Sequence, residues 1–160
     1  MAERNIRINI SDDEWNHFAS MCGKHSITIS DLIENFISDL TDGINSNGSD
    51  ETDLIWNWFE RCWFGSFPEH TMLRYMLDHG YDPEDYMNTI DRIVIANEEK
   101  KMRTKTKILD ELISEWKEEL QEIWIDWNEE LQNVEYIGKE PNIQEEVKLI
   151  KKWVREREGL

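Results

Sequence analysis

Over roughly residues 99–133, Leu109, Leu112, Ile113, Trp116, Leu120, Ile123, Trp124, Trp127 and Leu131 recur at steps of three and four. That spacing gathers side chains on one side of a helix with 3.6 residues per turn. A long helix with one apolar stripe must bury it, so the rest of the chain has to supply the opposing surface. Gly138 and Pro141 break the pattern, and Ile143, Val147, Ile150 and Val154, adjoined by Trp153, begin another. Two long helices joined by a short break predict an antiparallel pair.

Upstream of that pair, "LIWNWFERCWF" packs eight apolar residues into eleven, too many for one stripe and suited to a helix buried on several sides. Pro68 can occupy a first helical turn, with Met72, Leu73, Met76 and Leu77 following as far as Gly80. Asp82 and Pro83 repeat that start signal, and Ile90, Ile93 and Val94 continue the apolar face. "RIVIA", residues 92–96, reads equally as helix or strand. Residues 54–160 are therefore expected to form an acidic, Trp-rich, all-helical domain.

The 160 residues suffice for one ordinary domain or two small ones, and an apolar content of 39% with eight Trp marks a folding chain. No run reaches the roughly 18–20 apolar residues that span a bilayer. The N-terminus lacks the basic-then-apolar order of a secretory signal, so a cytoplasmic location is expected. Cys22 and Cys62 each sit in an apolar helical pattern and read as free, buried thiols.

Near the N-terminus, in "RNIRINI", Ile6, Ile8 and Ile10 alternate with Asn5, Arg7 and Asn9. Strict alternation predicts a strand with one covered and one open face. Ser11 with Glu14 forms a capping-box pattern, and Trp15, Phe18, Ala19 and Cys22 carry a first helix to a stop at Gly23. Thr28 with Asp31 repeats the cap, opening a second helix whose apolar face is Leu32, Ile33, Phe36, Ile37 and Leu40. The polar, glycine-bearing stretch at residues 43–53 reads as a linker.

One alternating strand, a Gly23 turn and the Thr-x-Ser-Asp-Leu-Ile start at Thr28–Ile33 resemble the ribbon-helix-helix superfamily of the MetJ and Arc repressors, over residues 1–42. The expected architecture is thus mainly α, a ribbon-helix-helix head followed by the helical domain. Physics adds that a lone strand and two short helices cannot close a core, so a homodimer through residues 4–40 is expected. The resemblance implies that Asn5, Arg7 and Asn9 read bases in a DNA major groove, with a phosphate held near Thr28, Ile29 and Ser30. Against this, residues 1–42 hold only Arg4, Arg7 and Lys24 against eight acids, within a chain of net charge −17. Affinity for a phosphate backbone depends on basic contacts, so DNA binding is weakened.

Catalytic patterns are thin. Cys62 and His70 lie eight residues apart with no orienting partner in view. His70 and His79 with Asp78, Asp82, Glu84 and Asp85 lack the ligand order of a calcium loop or a His-Glu-x-x-His site. No enzyme, metal or cofactor is expected. Charge is more informative. Residues 99–107 carry five bases, whereas Asp110, Glu111, Glu115, Glu118, Glu119, Glu122, Asp126, Glu129, Glu130 and Glu135 face Lys117 alone, and Lys148, Lys151, Lys152, Arg155 and Arg157 turn the chain basic again.

Those acids either pair with the bases of the neighbouring helix or form an open surface that imitates a nucleic-acid backbone and attracts a basic protein. A non-enzymatic dimeric binding protein is the expected function. In one form it is a DNA-binding regulator or antitoxin whose helical domain binds a basic toxin or other nucleic-acid-handling protein. In the other it is an acidic inhibitor, similar in style to phage-encoded inhibitors of CRISPR nucleases and restriction enzymes.

Overall fold

The computed structural model describes residues 4–102, 106–134 and 140–158. Eight helices occur among them: α1 Asp12–Lys24, α2 Ile29–Leu40, α3 Ser49–Arg61, α4 Trp63–Ser66, α5 Met72–Asp78, α6 Pro83–Met102, α7 Lys107–Leu131 and α8 Ile143–Glu158. They divide into two compact units, Met1–Pro68 and Glu69–Leu160. Helix α3 packs on α2 and α4 on α3, so the first unit runs on past residues 43–53 to Pro68.

The ribbon-helix-helix head is not formed. Among the described residues there is no strand, and residues 4–10 carry no regular structure. A strand needs a partner for its backbone groups. Among the described residues no strand pairs with 4–10, and all seven residues are exposed, Ile6 at 70%. The alternation of Ile6, Ile8 and Ile10 therefore has no covered face to define.

The helix signals behind it act as anticipated at their starts. Ser11 Oγ accepts from the Glu14 N–H while the Glu14 carboxylate accepts from the Ser11 N–H at 3.0 Å. Thr28 and Asp31 repeat the arrangement for α2. The stop of α1 differs: Gly23 stays helical, and the left-handed residue is Ser26, φ 59°. Residues 43–48 are a folded turn, not a loose linker. The buried Asp39 carboxylate accepts from the Asn47 backbone N–H at 2.7 Å, and Ser38 Oγ accepts from the Asn45 N–H at 3.0 Å. Polar residues capture the local backbone this way as readily as they leave it to solvent.

In the second unit Met72, Leu73, Tyr75 and Met76 of α5, Tyr86 of α6, Ile123, Trp127 and Leu131 of α7, and Ile150 and Val154 of α8 share one core. Trp127 reaches it with its polar edge satisfied, since Nε1–H donates to the His70 carbonyl at 3.1 Å. Asp82 caps the Pro83 start of α6 by accepting from the Glu84 N–H at 2.9 Å. "RIVIA" lies inside that helix.

The long helix expected from residue 99 is interrupted, with α6 ending at Met102 and α7 beginning at Lys107. The expected antiparallel pairing of α7 with α8 is also corrected. Both helices pack on α5 and α6 rather than along one another. Lys100, near the end of α6, pairs with Asp110, near the start of α7, so the short connection joins α6 to α7. Among the described residues no helix is long and apolar enough to cross a membrane.

Candidate functional site

Helix α7 has two chemically distinct sides. Ile113, Ile123, Trp127 and Leu131 are buried. At about 100° per residue, Glu111, Glu115, Glu118, Glu122, Asp126 and Glu129 fall on the far side, within a sector of about 80°. All are exposed except Asp126, which is half-buried. Glu119 borders this stripe and is exposed, and Asp110 and Glu130 flank it on either side.

Neutralisation is partial and local. Asp110 pairs with Lys100 and accepts from Thr106 Oγ1 at 3.0 Å; the Lys100 bond, then that of Thr106, holds its pKa below the usual carboxylate value. Glu111 lies 3.7 Å from Lys107, Glu118 accepts from Ser114 Oγ at 3.1 Å, and Glu130 lies 3.4 Å from His79 Nε2. Glu115, Glu119, Glu122 and Glu129 make no ion pair among the described residues.

The bases of α8 do not reach them. Lys148 pairs with Glu145, Lys152 with Glu156, and Arg157 with Asp82 and Glu84. Val147, Ile150 and Val154 turn one side of α8 to the shared core; Lys148, Lys151, Lys152 and Arg155 lie off that side, and Arg157 reaches back to Asp82 and Glu84. Each charged stripe thus faces away from the core that the two helices share. Glu135, Arg103 and Lys105, which belong to the same charge pattern, lie outside the described residues.

The line charge can be compared with that of a nucleic acid. Nine carboxylates between Asp110 and Glu130 span about 30 Å at 1.5 Å per residue. That is one per about 3.3 Å, against about 3.4 Å per phosphate along one strand of a DNA duplex. Beneath them the Tyr75 phenol is pushed above its ordinary value by burial first, then by Tyr81, then by Asp126 and Glu130. Sequence periodicity missed one feature here. Ile108 and Ile125 are exposed beside the carboxylates, and their positions off the three-and-four series were the available signal.

The DNA-reading residues are arranged differently from the expectation. Asn5, Arg7 and Asn9 lie in the irregular, exposed segment. Thr28 is the N-cap of α2, followed by Ile29 and Ser30 in its first turn. At that helix start the chain's own Asp31 accepts from the Thr28 N–H at 2.9 Å and from its hydroxyl at 2.7 Å. Those two bonds hold the Asp31 pKa below its usual value, keeping a negative charge at the helix start.

Cys22 is buried, Cys62 is half-buried, and both are free thiols. Among the described residues no three His, Cys, Asp or Glu side chains are grouped to hold a metal ion. No protein-family model matches the chain, and no curated protein or solved structure matches it either.

Proposed function

We propose that the protein is a cytosolic, non-enzymatic binding protein whose α7 carboxylates engage a basic, nucleic-acid-handling protein, a toxin of that kind included, in place of its nucleic acid. The observation that carries this reading is the open acidic stripe, whose Glu115, Glu119, Glu122 and Glu129 lack a cationic partner among the described residues. Carboxylates meant only to brace α8 would face its lysines. These face solvent in a row along the helix, and a rod of negative charge steers toward basic channels while repelling DNA itself. Ile125 adds an apolar contact within the stripe, of the kind that fixes register between charged surfaces.

Self-association of the first unit, expected through residues 4–40, belongs to the same proposal. Ile6, Ile8, Ile10, Trp15, Met21 and Ile37 all remain exposed there. The regulator reading has less support, because Asn5, Arg7 and Asn9 lie in an irregular, exposed segment and Asp31 keeps a negative charge at the start of α2.

The test is capture from host lysate, with and without nuclease, read by mass spectrometry. The expected catch is a basic nucleic-acid-binding protein that persists after nuclease treatment and is released by raised salt. Replacing Glu118, Glu119 and Glu122 by Gln and Asp126 by Asn should reduce it about tenfold or more. Undiminished capture by that variant would reject the acidic surface as the binding site.

A further inference from the structure

Helix α3 carries Leu54, Ile55, Trp56, Trp58 and Phe59 around its circumference, yet none of its residues is buried. Its rings form a connected set with their neighbours. Phe36 meets Trp58 edge-on at 5.8 Å, Trp58 meets Phe64 at 6.5 Å, Phe64 meets Phe59 at 5.0 Å, and Phe59 meets Trp56 at 5.7 Å. Beside them Trp63, 72% exposed, lies against Phe67 at 4.6 Å.

A Cβ on Gly65 would fall 2.2 Å from the Phe59 carbonyl oxygen, so only glycine lets α4 fold back on the end of α3. Large apolar side chains grouped in the open mark an interaction surface.

We infer that a second copy of this chain covers the aromatic surface of α3 and α4, with Trp63, Phe64 and Leu54 at the contact. The inference rests on the self-association proposed above but moves its seat from residues 4–40 to 54–67.

Two observations choose the occupant. The first is area. If an aromatic side chain presents about 150–250 Å², Trp58, Trp63, Phe64 and Phe67, each about half exposed or more, leave roughly 450 Å² open, Trp56 lying on the opposite side of α3. With Leu54 added, two such faces together remove on the order of 1,100 Å², above the roughly 1,000 Å² that a specific interface needs. The second is the unit itself. Cys22 is the only apolar residue fully buried among its described residues, and a unit of this size without a core depends on assembly. Another copy is the one cover present wherever the chain is, and an aromatic surface complements itself through edge-to-face contacts as a charged one cannot.

Charge gives the contact a signature. Asp50, Glu51, Asp53 and Glu60 share α3 with the aromatic residues, against Arg61 as the one base of that helix, so two copies repel where they meet. Screening should therefore tighten this contact with rising salt, the reverse of the effect on α7 binding.

Sedimentation and light scattering of the full chain at micromolar concentrations test the inference. The expected result is a mass double the 19.2 kDa of one chain, with affinity that rises with salt. Trp63→Ser and, separately, Leu54→Ser should each weaken association about tenfold or more while helicity by circular dichroism is kept. A native monomer throughout would overturn both this inference and the self-association reading. A dimer that ignores both variants but dissociates in Ile8→Ser or Ile37→Ser would overturn the inference alone and return the contact to residues 4–40.

Discussion

Each of the two units holds four of the eight tryptophans, and they treat them oppositely. Trp15, Trp56, Trp58 and Trp63 of the first are all exposed, whereas Trp127 of the second is 2% exposed and Trp116, Trp124 and Trp153 are half-buried. Apolar content is not what separates them; angular placement is. In α7 the tryptophans keep the three-and-four series and share one side, which α5 and α6 can cover. In α3 Trp56 and Trp58 point about 200° apart, so no single neighbouring helix can cover both. One stripe closes a core within a chain; apolar residues all round a helix call for an additional surface.

The largest expected effect tests that contrast directly. Trp127→Ala removes a buried ring together with its hydrogen bond to the His70 carbonyl. It should destabilise the C-terminal unit by about 3–5 kcal/mol. Trp63→Ala, at concentrations low enough to keep the chain monomeric, should change stability by less than about 0.5 kcal/mol. Urea unfolding followed by circular dichroism compares the two. Similar losses would mean that Trp63 contributes to a core of its own and that the two units are not different in kind.

The units should also fail at opposite ends of the pH scale. In the N-terminal unit Glu14 is held below its ordinary 4.5 by Ser11, and Asp31 and Asp39 below 3.8 by Thr28 and by the Asn47 backbone N–H. A carboxylate with a depressed folded pKa stabilises the fold above its unfolded value, and the contribution vanishes as pH falls through the folded one. Asp110 is the corresponding group in the C-terminal unit. That unit instead buries Tyr75 and Tyr86, whose phenols burial lifts above 10.0. A raised phenol stabilises below its unfolded pKa, and the contribution is lost as pH rises through the folded one. Thermal melts should show the N-terminal unit weakening first below about pH 4, and the C-terminal unit weakening above about pH 10. Coincident loss at both ends would dissolve the distinction.

What the sequence disclosed follows the same division. The α7 stripe, the Ser11 and Thr28 caps and the Asp82–Pro83 start were legible because each is a local pattern with one physical reading. The acidic surface was legible as composition, but whether α8 neutralises it was not. That depends on α8 placing Ile150 and Val154, and not its lysines, toward the shared core. The strand at residues 4–10 failed because alternation fixes faces only when a partner strand exists, and the partner is not within the described chain. The turn at 43–48 was missed because Asp39 and Ser38, its anchors, lie inside the preceding helix.

The smallest effect concerns the two helix stops. After α5 the left-handed position is Gly80, φ 77°, and the Tyr81 N–H returns to the Met76 carbonyl at 2.8 Å, so glycine sits where the backbone needs it. After α1 the left-handed residue is Ser26, whose Cβ crowds its own backbone, while Gly23 is spent inside the helix with open space where a side chain would stand. Exchanging them corrects both faults. Gly23→Ala should add about 0.5–1 kcal/mol of helix propensity. Ser26→Gly relieves roughly 1–2 kcal/mol of left-handed strain, partly offset by the added freedom of glycine in the unfolded chain. The double variant should therefore raise the melting temperature of the N-terminal unit by several degrees, at about 4–8 °C per kcal/mol for a unit of this size, and leave the C-terminal unit unchanged. Gly80→Ala should do the reverse, lowering the C-terminal melt by forcing a side chain into that conformation. If the double variant shifted both melts equally, the two units would be unfolding as one.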